Sequence, residues 1–165
     1  MTSFEYDLAG KRVWVAGHRG MVGSALVRRL ESEDPAEVIV ASSGEVDLRH
    51  QAATQAFVED TAPDVAFVAA AKVGGIEANR TAQGEFLYDN LMISANVIEA
   101  ARQAGVERTV VLGSSCIYPR DAAQPMAEDA LLTGPLESTN EGYAIAKIAA
   151  LELCLLYTSP SPRDL

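Results

Sequence analysis

The sequence predicts an α/β fold, a doubly wound parallel sheet, and three observations carry that expectation. Short apolar, β-branched runs recur at residues 13–16, 38–40, 65–71 and 108–112. Between them lie stretches whose apolar residues return at helical spacing, so strand and helix alternate, as in parallel strands joined by right-handed crossovers. The first run breaks at Gly17, and glycines follow at Gly20 and Gly23 as the spacing turns helical. No internal repeat interrupts the pattern.

The first unit is the most informative. From Arg12 to Leu26 the chain reads RVWVAGHRGMVGSAL. Gly17 permits a tight turn, Gly20 lets backbone approach a pyrophosphate, and Gly23 lets a helix pack close to the strand. His18 and Arg19 sit inside the turn. Met21 and Val22 open the helix, where free N–H groups face phosphates. A strand, a glycine turn and a helix in this order predict a Rossmann-like dinucleotide site rather than a bland turn.

The first helix is expected to end near Glu33-Asp34-Pro35, before the second strand. Residue types after that strand normally choose the nicotinamide cofactor: an acid binds the ribose 2′-hydroxyl, a base accommodates a 2′-phosphate. Ala41-Ser42-Ser43-Gly44-Glu45 gives neither signal clearly, and Arg19 is the nearby cation, either a phosphate contact or a solvated turn residue. Asp47 and Leu48 lead into a helix over 51–60, with Asp47 either its cap or a contact to adenine. The third strand runs into Ala69, Ala70 and Ala71, small enough for a cofactor to pass, and then into the glycine-containing loop Lys72 to Ile76. That loop lies at a strand's carboxyl end, where open α/β sheets bind ligands.

A long helix is expected over 86–104, with Leu87, Leu91, Ala95, Ile98 and Ala101 on one face and Gly105 closing it. Asn90 within it reads either as a surface amide or as a neighbour of the nicotinamide. The fourth strand ends in Leu112, Gly113, Ser114, Ser115 and Cys116, and residues 119–139, with Pro119, Pro125 and Pro135, read as an ordered connection. A last helix begins near Asn140-Glu141 and carries Tyr143 and Lys147. Four strands are visible, where a complete fold of this kind has about six.

Composition narrows the function. Hydrophobic residues make up 48% of the 165, enough for a core. Thirteen basic and 23 acidic residues give a net charge of −10, which argues against nucleic acid and anionic membranes as partners. An anionic cofactor must then be held by local groups. Two cysteines, Cys116 and Cys154, make no disulfide framework, which suggests a reducing, cytoplasmic setting. No signal-peptide pattern opens the chain, no apolar run nears the length of a membrane span, and no metal site is expected.

Tyr143 and Lys147 stand one helical turn apart and share a face. A phenol ionises near pH ~10; an ammonium beside it favours the phenolate, and a cofactor ribose can relay the proton. A hydroxyl from Ser114 or Ser115 would hold a substrate carbonyl. Glycine turn, serine strand-end and Tyr-x-x-x-Lys in this chain order point to ketone reduction.

Four stretches carry a resemblance: AGHRGMVG (16–23), AAAKVGGI (69–76), LGSSCIYP (112–119) and NEGYAIAK (140–147). Together they resemble the GDP-L-fucose synthases, a family of extended short-chain dehydrogenases/reductases, over residues 11–154. The resemblance implies NADP(H) as cofactor and a GDP-sugar as substrate: 3,5-epimerisation and 4-reduction of GDP-4-keto-6-deoxy-D-mannose to GDP-L-fucose, in a homodimer built on a four-helix interface. It implies that Ser114 hydrogen-bonds the 4-keto oxygen, Tyr143 protonates it, and Lys147 binds the nicotinamide ribose and lowers the Tyr143 pKa. Cys116 becomes one of two acid/base groups for epimerisation. Within the cofactor site it points to the turn residues Gly17 to Gly23, to Ser43, Asp47, Leu48, Ala70 and Asn90, and to Leu112, Gly113, Ser114 and Lys147.

The chain departs from that family in three places. Ser43 stands where a basic residue is usual, so NADPH preference rests on Arg19. Gly142 replaces a common proline, which should loosen the helix start. The second acid/base group, a histidine, matches neither His18 nor His50. After Cys154 the sequence LLYTSPSPRDL resembles nothing in the family, so residues 1–154 are expected to be an incomplete dinucleotide-binding domain and 155–165 an unrelated tail of foreign translated sequence, disordered or artefactual, the whole a fragment that is inactive alone. Rival readings are an NAD-dependent sugar-nucleotide 4-epimerase or dehydratase, and a non-catalytic dinucleotide-binding regulator.

Overall fold

Side chains alternate along a strand, and the first strand divides its own between two cores. In the computed structural model, which describes residues 6–158, β1 (Arg12–Ala16) turns Trp14 and Ala16 to one face and Val13 and Val15 to the other. It is followed by α1 (Met21–Leu30), β2 (Glu37–Ile39), α2 (Gln51–Thr61), β3 (Val65–Val68), α3 (Ile76–Thr81), α4 (Gln83–Gln103), β4 (Arg108–Val111) and α5 (Glu141–Thr158). The four strands pair in parallel in the order β2-β1-β3-β4.

Trp14, Ile39, Val58, Ala66, Val68 and Val97 form the core under α2 and α4, and Trp14 meets Phe57 with ring centroids 5.3 Å apart. Leu30 and Val65 join Val13 and Val15 in the second core, with Leu26 and Val27 of α1 against them. The sheet is thus covered on both faces, as the doubly wound expectation requires. The chain leaves β1 toward β2 on one side and continues to β3 on the other. That reversal opens a crevice at the carboxyl ends of β1 and β3, the topological switch point of such sheets.

Several boundaries differ from expectation. The first helix stops at Leu30; two tight turns follow and the backbone enters the left-handed region at Asp34 (φ 51) before Pro35. The second strand starts one residue early, at Glu37, and α2 runs to Thr61. The third strand closes at Val68, leaving the three alanines as extended chain. The short helix α3 was not legible, and α4 begins at Gln83. Leu91, expected on the buried face of α4, is exposed, while Asp89, Asn90, Ser94 and Asn96 are buried. The domain boundary drawn after Cys154 falls inside α5, which continues to Thr158; residues 159–165 lie outside the described residues.

Gly142 does not loosen α5. Its N–H donates to Gln83 Oε1 at 3.2 Å, a bond proline cannot make, and a Cβ there would lie 2.5 Å from the Gln83 carbonyl oxygen. The glycine lets the start of α5 seat directly on the start of α4.

Candidate active site

The cofactor cleft grows from the turn after β1. Gly17 is left-handed (φ 84), and a Cβ on it would lie 2.6 Å from both the backbone nitrogen and the Cα of Ala70, so β1 and β3 approach there as only glycine permits. A Cβ on Gly23 would lie 2.2 Å from the Gly17 carbonyl oxygen, which locks the first turn of α1 against the loop. The start of α1 has no side-chain cap and no acidic residue in its first turn. Its unsatisfied N–H groups and positive dipole end are therefore free for an anion.

The cleft measures about 390 Å³ and is walled by the Gly17–Gly20 turn, by the segment 41–43 and 46–49, and by Ala69 to Lys72. Expected residues Gly17, His18, Arg19, Gly20, Ser43, Asp47, Leu48 and Ala70 all line it. Met21, Val22 and Gly23 do not; Met21 and Val22 expose their side chains, and this segment can serve a ligand through backbone N–H groups alone.

Charge in the cleft is unevenly committed. Arg49 is bound to Asp47 (2.7 Å) and Asp89 (3.3 Å), and Lys72 to Glu85 and Asp89 (2.9 Å each). Hydrogen bonds from the Arg49 side chain and backbone hold the Asp47 carboxyl at a pKa of about 2. Asp47 thus clamps Arg49, and the cap position of α2 falls to His50. Among the described residues, Arg19 has no carboxylate partner within salt-bridge distance. Glu45 accepts from Ser42 N (2.7 Å) and Oγ (2.6 Å), and these bonds, with Arg19 and His18 nearby, hold its carboxyl below its ordinary range.

Asn90 is neither a surface amide nor a wall of the cleft. It is buried; its Oδ1 accepts from Lys72 N at 2.9 Å, and its Nδ2 donates to the carbonyls of Lys72 (3.0 Å) and Phe86 (2.7 Å). Its amide is spent fixing the chain after β3 onto α4, so it shapes the cleft from behind.

A second cavity of about 270 Å³ lies at the end of β4, lined by Val73, Gly74, Asn79, Ser114, Ser115, Cys116, Asn140 and Tyr143. Ser114 caps the short 3₁₀ turn Ser115–Ile117, and its Oγ accepts from Cys116 N (3.5 Å) and Cys116 Sγ (3.2 Å). With two Cys116 donors directed at its oxygen, the Ser114 hydroxyl keeps its own proton to donate, and Tyr143 lies within its reach. Tyr143 lines this cavity, and Lys147 follows one turn later on α5 without lining it. Lys147 is 5% exposed and its Nζ donates to the Leu112 carbonyl at 3.0 Å; Leu112 and Gly113 thus act as strand-end backbone and not as cavity walls.

The hydrogen bond of Lys147 goes to a backbone carbonyl rather than to the Tyr143 hydroxyl. Its Nζ faces the Leu112 carbonyl and lies 5.8 Å from the phenol ring centroid, over the ring. Burial first, and Cys116 second, push the Tyr143 phenol above its ordinary value, against a smaller opposing contact with Ser114. Burial pushes the Lys147 ammonium down. The phenol therefore holds its proton at neutral pH, the state needed to donate to a ketone oxygen.

Sequence reasoning did not single out Asn79 or Asn140, which line the second cavity, or Lys72 as part of a charged wall. Asn79 follows the recognised Gly74-Gly75 loop, the one signal that could have drawn attention to it. Among the described residues no group of His, Cys, Asp and Glu could hold a metal, and no helix is long and apolar enough to cross a membrane.

Comparison with known proteins agrees with this geometry. The NAD dependent epimerase/dehydratase family model matches residues 13–160. A GDP-L-fucose synthase of Sinorhizobium fredii is 58% identical over 152 residues, covering 92% of this chain and 48% of that protein. The GDP-L-fucose synthase of Escherichia coli is 49% identical over 157 residues, covering 95% of this chain and 49% of its own length. Among solved structures, MlghC, a GDP-mannoheptose C4 reductase from Campylobacter jejuni with NADP bound, superposes with a TM-score of 0.86 at 33% identity, covering 90% of this chain and 47% of that one. The chain spans about half the length of the curated relatives it matches.

Proposed function

The chain belongs to the NAD dependent epimerase/dehydratase family, and from that premise we propose that it forms the cofactor-binding and proton-transfer half of an NADPH-dependent GDP-L-fucose synthase, acting on GDP-4-keto-6-deoxy-D-mannose. The observation that carries the reading is the cavity in which Ser114, Cys116 and Tyr143 converge, with Lys147 tied to the strand end behind them. The names of the relatives supply the substrate class.

The residues present fit a dinucleotide: an uncapped helix start for the pyrophosphate, an alanine-lined passage at Ala69 to Ala71, and Arg19 free for a 2′-phosphate. When bound, NADPH supplies the hydride. The protein's own contribution is to hold and move protons. Ser114 donates a hydrogen bond to the substrate's C4 oxygen, polarising it, and Tyr143 delivers its phenolic proton to that oxygen as it gains charge. Lys147 anchors the nicotinamide ribose from its position under the strand end. For epimerisation, protons beside a ketone are acidic enough for side-chain exchange, and the Cys116 thiol, bonded to Ser114 Oγ, is the group on this chain placed to exchange one. The protein works in a reducing, cytoplasmic setting where Cys116 and Cys154 stay free, and pairs with a second copy through α4 and α5.

The reading is tested by ketone-dependent loss of NADPH absorbance in the whole protein; cofactor oxidation without the GDP-keto sugar, or none with it, contradicts it. Cofactor choice has its own test. Losing a charge-assisted contact costs about 1.5–3 kcal/mol, so Arg19→Ala raises the Kd for NADPH roughly 10- to 100-fold. Titration of cofactor fluorescence checks this, with NADH binding unchanged; equal losses for both cofactors remove Arg19 from the 2′ position.

A further inference from the structure

The reaction cavity contains a polar group that the chemistry above leaves unused. Asn79, on α3, is only 8% exposed. Its Nδ2 donates to the carbonyls of Gly74 (2.8 Å) and Gly75 (3.1 Å), which fixes the orientation of the amide. Its Oδ1 is buried and receives no hydrogen bond. Buried amide oxygens are nearly always paired, and an orphan asks for a donor. Asn79 lines the same cavity as Ser114, Cys116 and Tyr143. Asn140, immediately before α5, also lines it, and its Oδ1 is likewise buried without a donor.

Among the described residues no donor reaches either oxygen, so the pocket presents acceptors to whatever occupies it. An occupant that pairs with them must carry O–H or N–H groups close to the atom reached by Ser114 and Tyr143. A ketone offers none itself, but a hydroxyl on the neighbouring carbon does. We propose that Asn79 is a substrate-binding residue whose side-chain oxygen accepts a hydrogen bond from the sugar hydroxyl next to the reacting carbonyl. This rests on the GDP-4-keto-sugar reading above and adds a source of specificity to it. Sites built to pair with a substrate hydroxyl discriminate strongly against analogues that lack it, because a buried polar group is then left alone. The Nδ2 bonds to Gly74 and Gly75 hold that acceptor in place.

The test compares GDP-4-keto-6-deoxy-D-mannose with its 3-deoxy counterpart in the whole protein, measuring kcat and KM with NADPH saturating. The wild type is expected to lose at least about 10-fold in kcat/KM on the 3-deoxy sugar, and Asn79→Ala to lose a similar factor on the hydroxylated sugar only. The variant then treats the two sugars alike, while its Kd for NADPH stays that of the wild type. A purely structural role in the Gly74-Gly75 turn would lower both sugars equally and preserve their ratio, which overturns the proposal. Should Asn79→Ala not fold, the wild-type comparison decides alone, since equal use of both sugars overturns it as well. A wild type inactive on both sugars refutes the underlying functional reading; activity without discrimination refutes only the role of Asn79.

Discussion

Replacing Tyr143 with Phe lowers kcat for ketone reduction by about 10²–10⁴, the range that general acid catalysis contributes. The substitution removes one oxygen from a half-buried ring and leaves the packing of α5 unchanged. The phenol keeps its proton because burial and Cys116 raise its pKa, so in the wild type it is loaded as an acid before substrate arrives. Without it, charge developing on the ketone oxygen meets only the Ser114 hydroxyl. NADPH affinity stays within about 2-fold, since the cofactor cleft is lined elsewhere. The variant also separates two chemistries: proton exchange beside the ketone, proposed above for Cys116, is expected to persist when reduction is lost. Stopped-flow kinetics and cofactor titration check both halves. A kcat within a few-fold of wild type removes Tyr143 as proton donor.

Gly17→Ala has the second large effect, on fold and cofactor together. Left-handed backbone costs a residue with a Cβ about 1–2 kcal/mol. The new methyl would lie 2.6 Å from the Ala70 backbone, and overpacking of that kind adds about 1–3 kcal/mol. Together the loss is about 2–5 kcal/mol, visible as a lower urea midpoint. Relief comes only by parting β1 from the chain after β3, which displaces both walls of the cleft, so NADPH affinity falls by more than about 10-fold. Gly84→Ala is the control. It lies in α4 with open space around the added Cβ, and alanine there stabilises a helix by about 0.5–1 kcal/mol. If Gly17→Ala were as stable as Gly84→Ala and bound NADPH normally, the turn geometry would be wrong.

The parts of this molecule that could be read from sequence are those whose causes are local. The glycine turn, the four strands and the Tyr143–Lys147 pair each follow from residues within a few positions of one another. What was missed depends on partners far along the chain. Asn90 reads as a surface amide or a neighbour of the nicotinamide until the chain at Lys72 folds back to meet it, and Asn96, whose Nδ2 donates to the Leu48 carbonyl at 2.9 Å, is not singled out at all. The exposed Leu91 shows the same failure in reverse, because a stripe of buried polar residues has taken the inner face of α4. Gly142 was misjudged because its reason is a contact with Gln83 on another helix. Asn79 has only the preceding Gly74-Gly75 loop as a local signal, since its meaning lies in a cavity assembled from α3, the β4 end and the start of α5.

The position of Lys147 likewise depends on a partner far along the chain. Spacing alone pairs the ammonium with the phenol, whereas in the fold it donates a hydrogen bond to the Leu112 carbonyl. Lys147 thereby anchors the strand end, and burial first and Cys116 second raise the phenol's pKa.

The most direct test of the central claim is to incubate the whole protein with GDP-4-keto-6-deoxy-D-mannose and NADPH in D₂O and to locate deuterium in the product by NMR. The account predicts NADPH consumption matched to GDP-L-fucose formed, with solvent deuterium at C3 and C5 and none at C4, where the cofactor's hydride arrives. Reduction without deuterium at C3 and C5 would make the protein a simple ketoreductase, and deuterium at C4 would contradict hydride transfer from the cofactor held in this cleft.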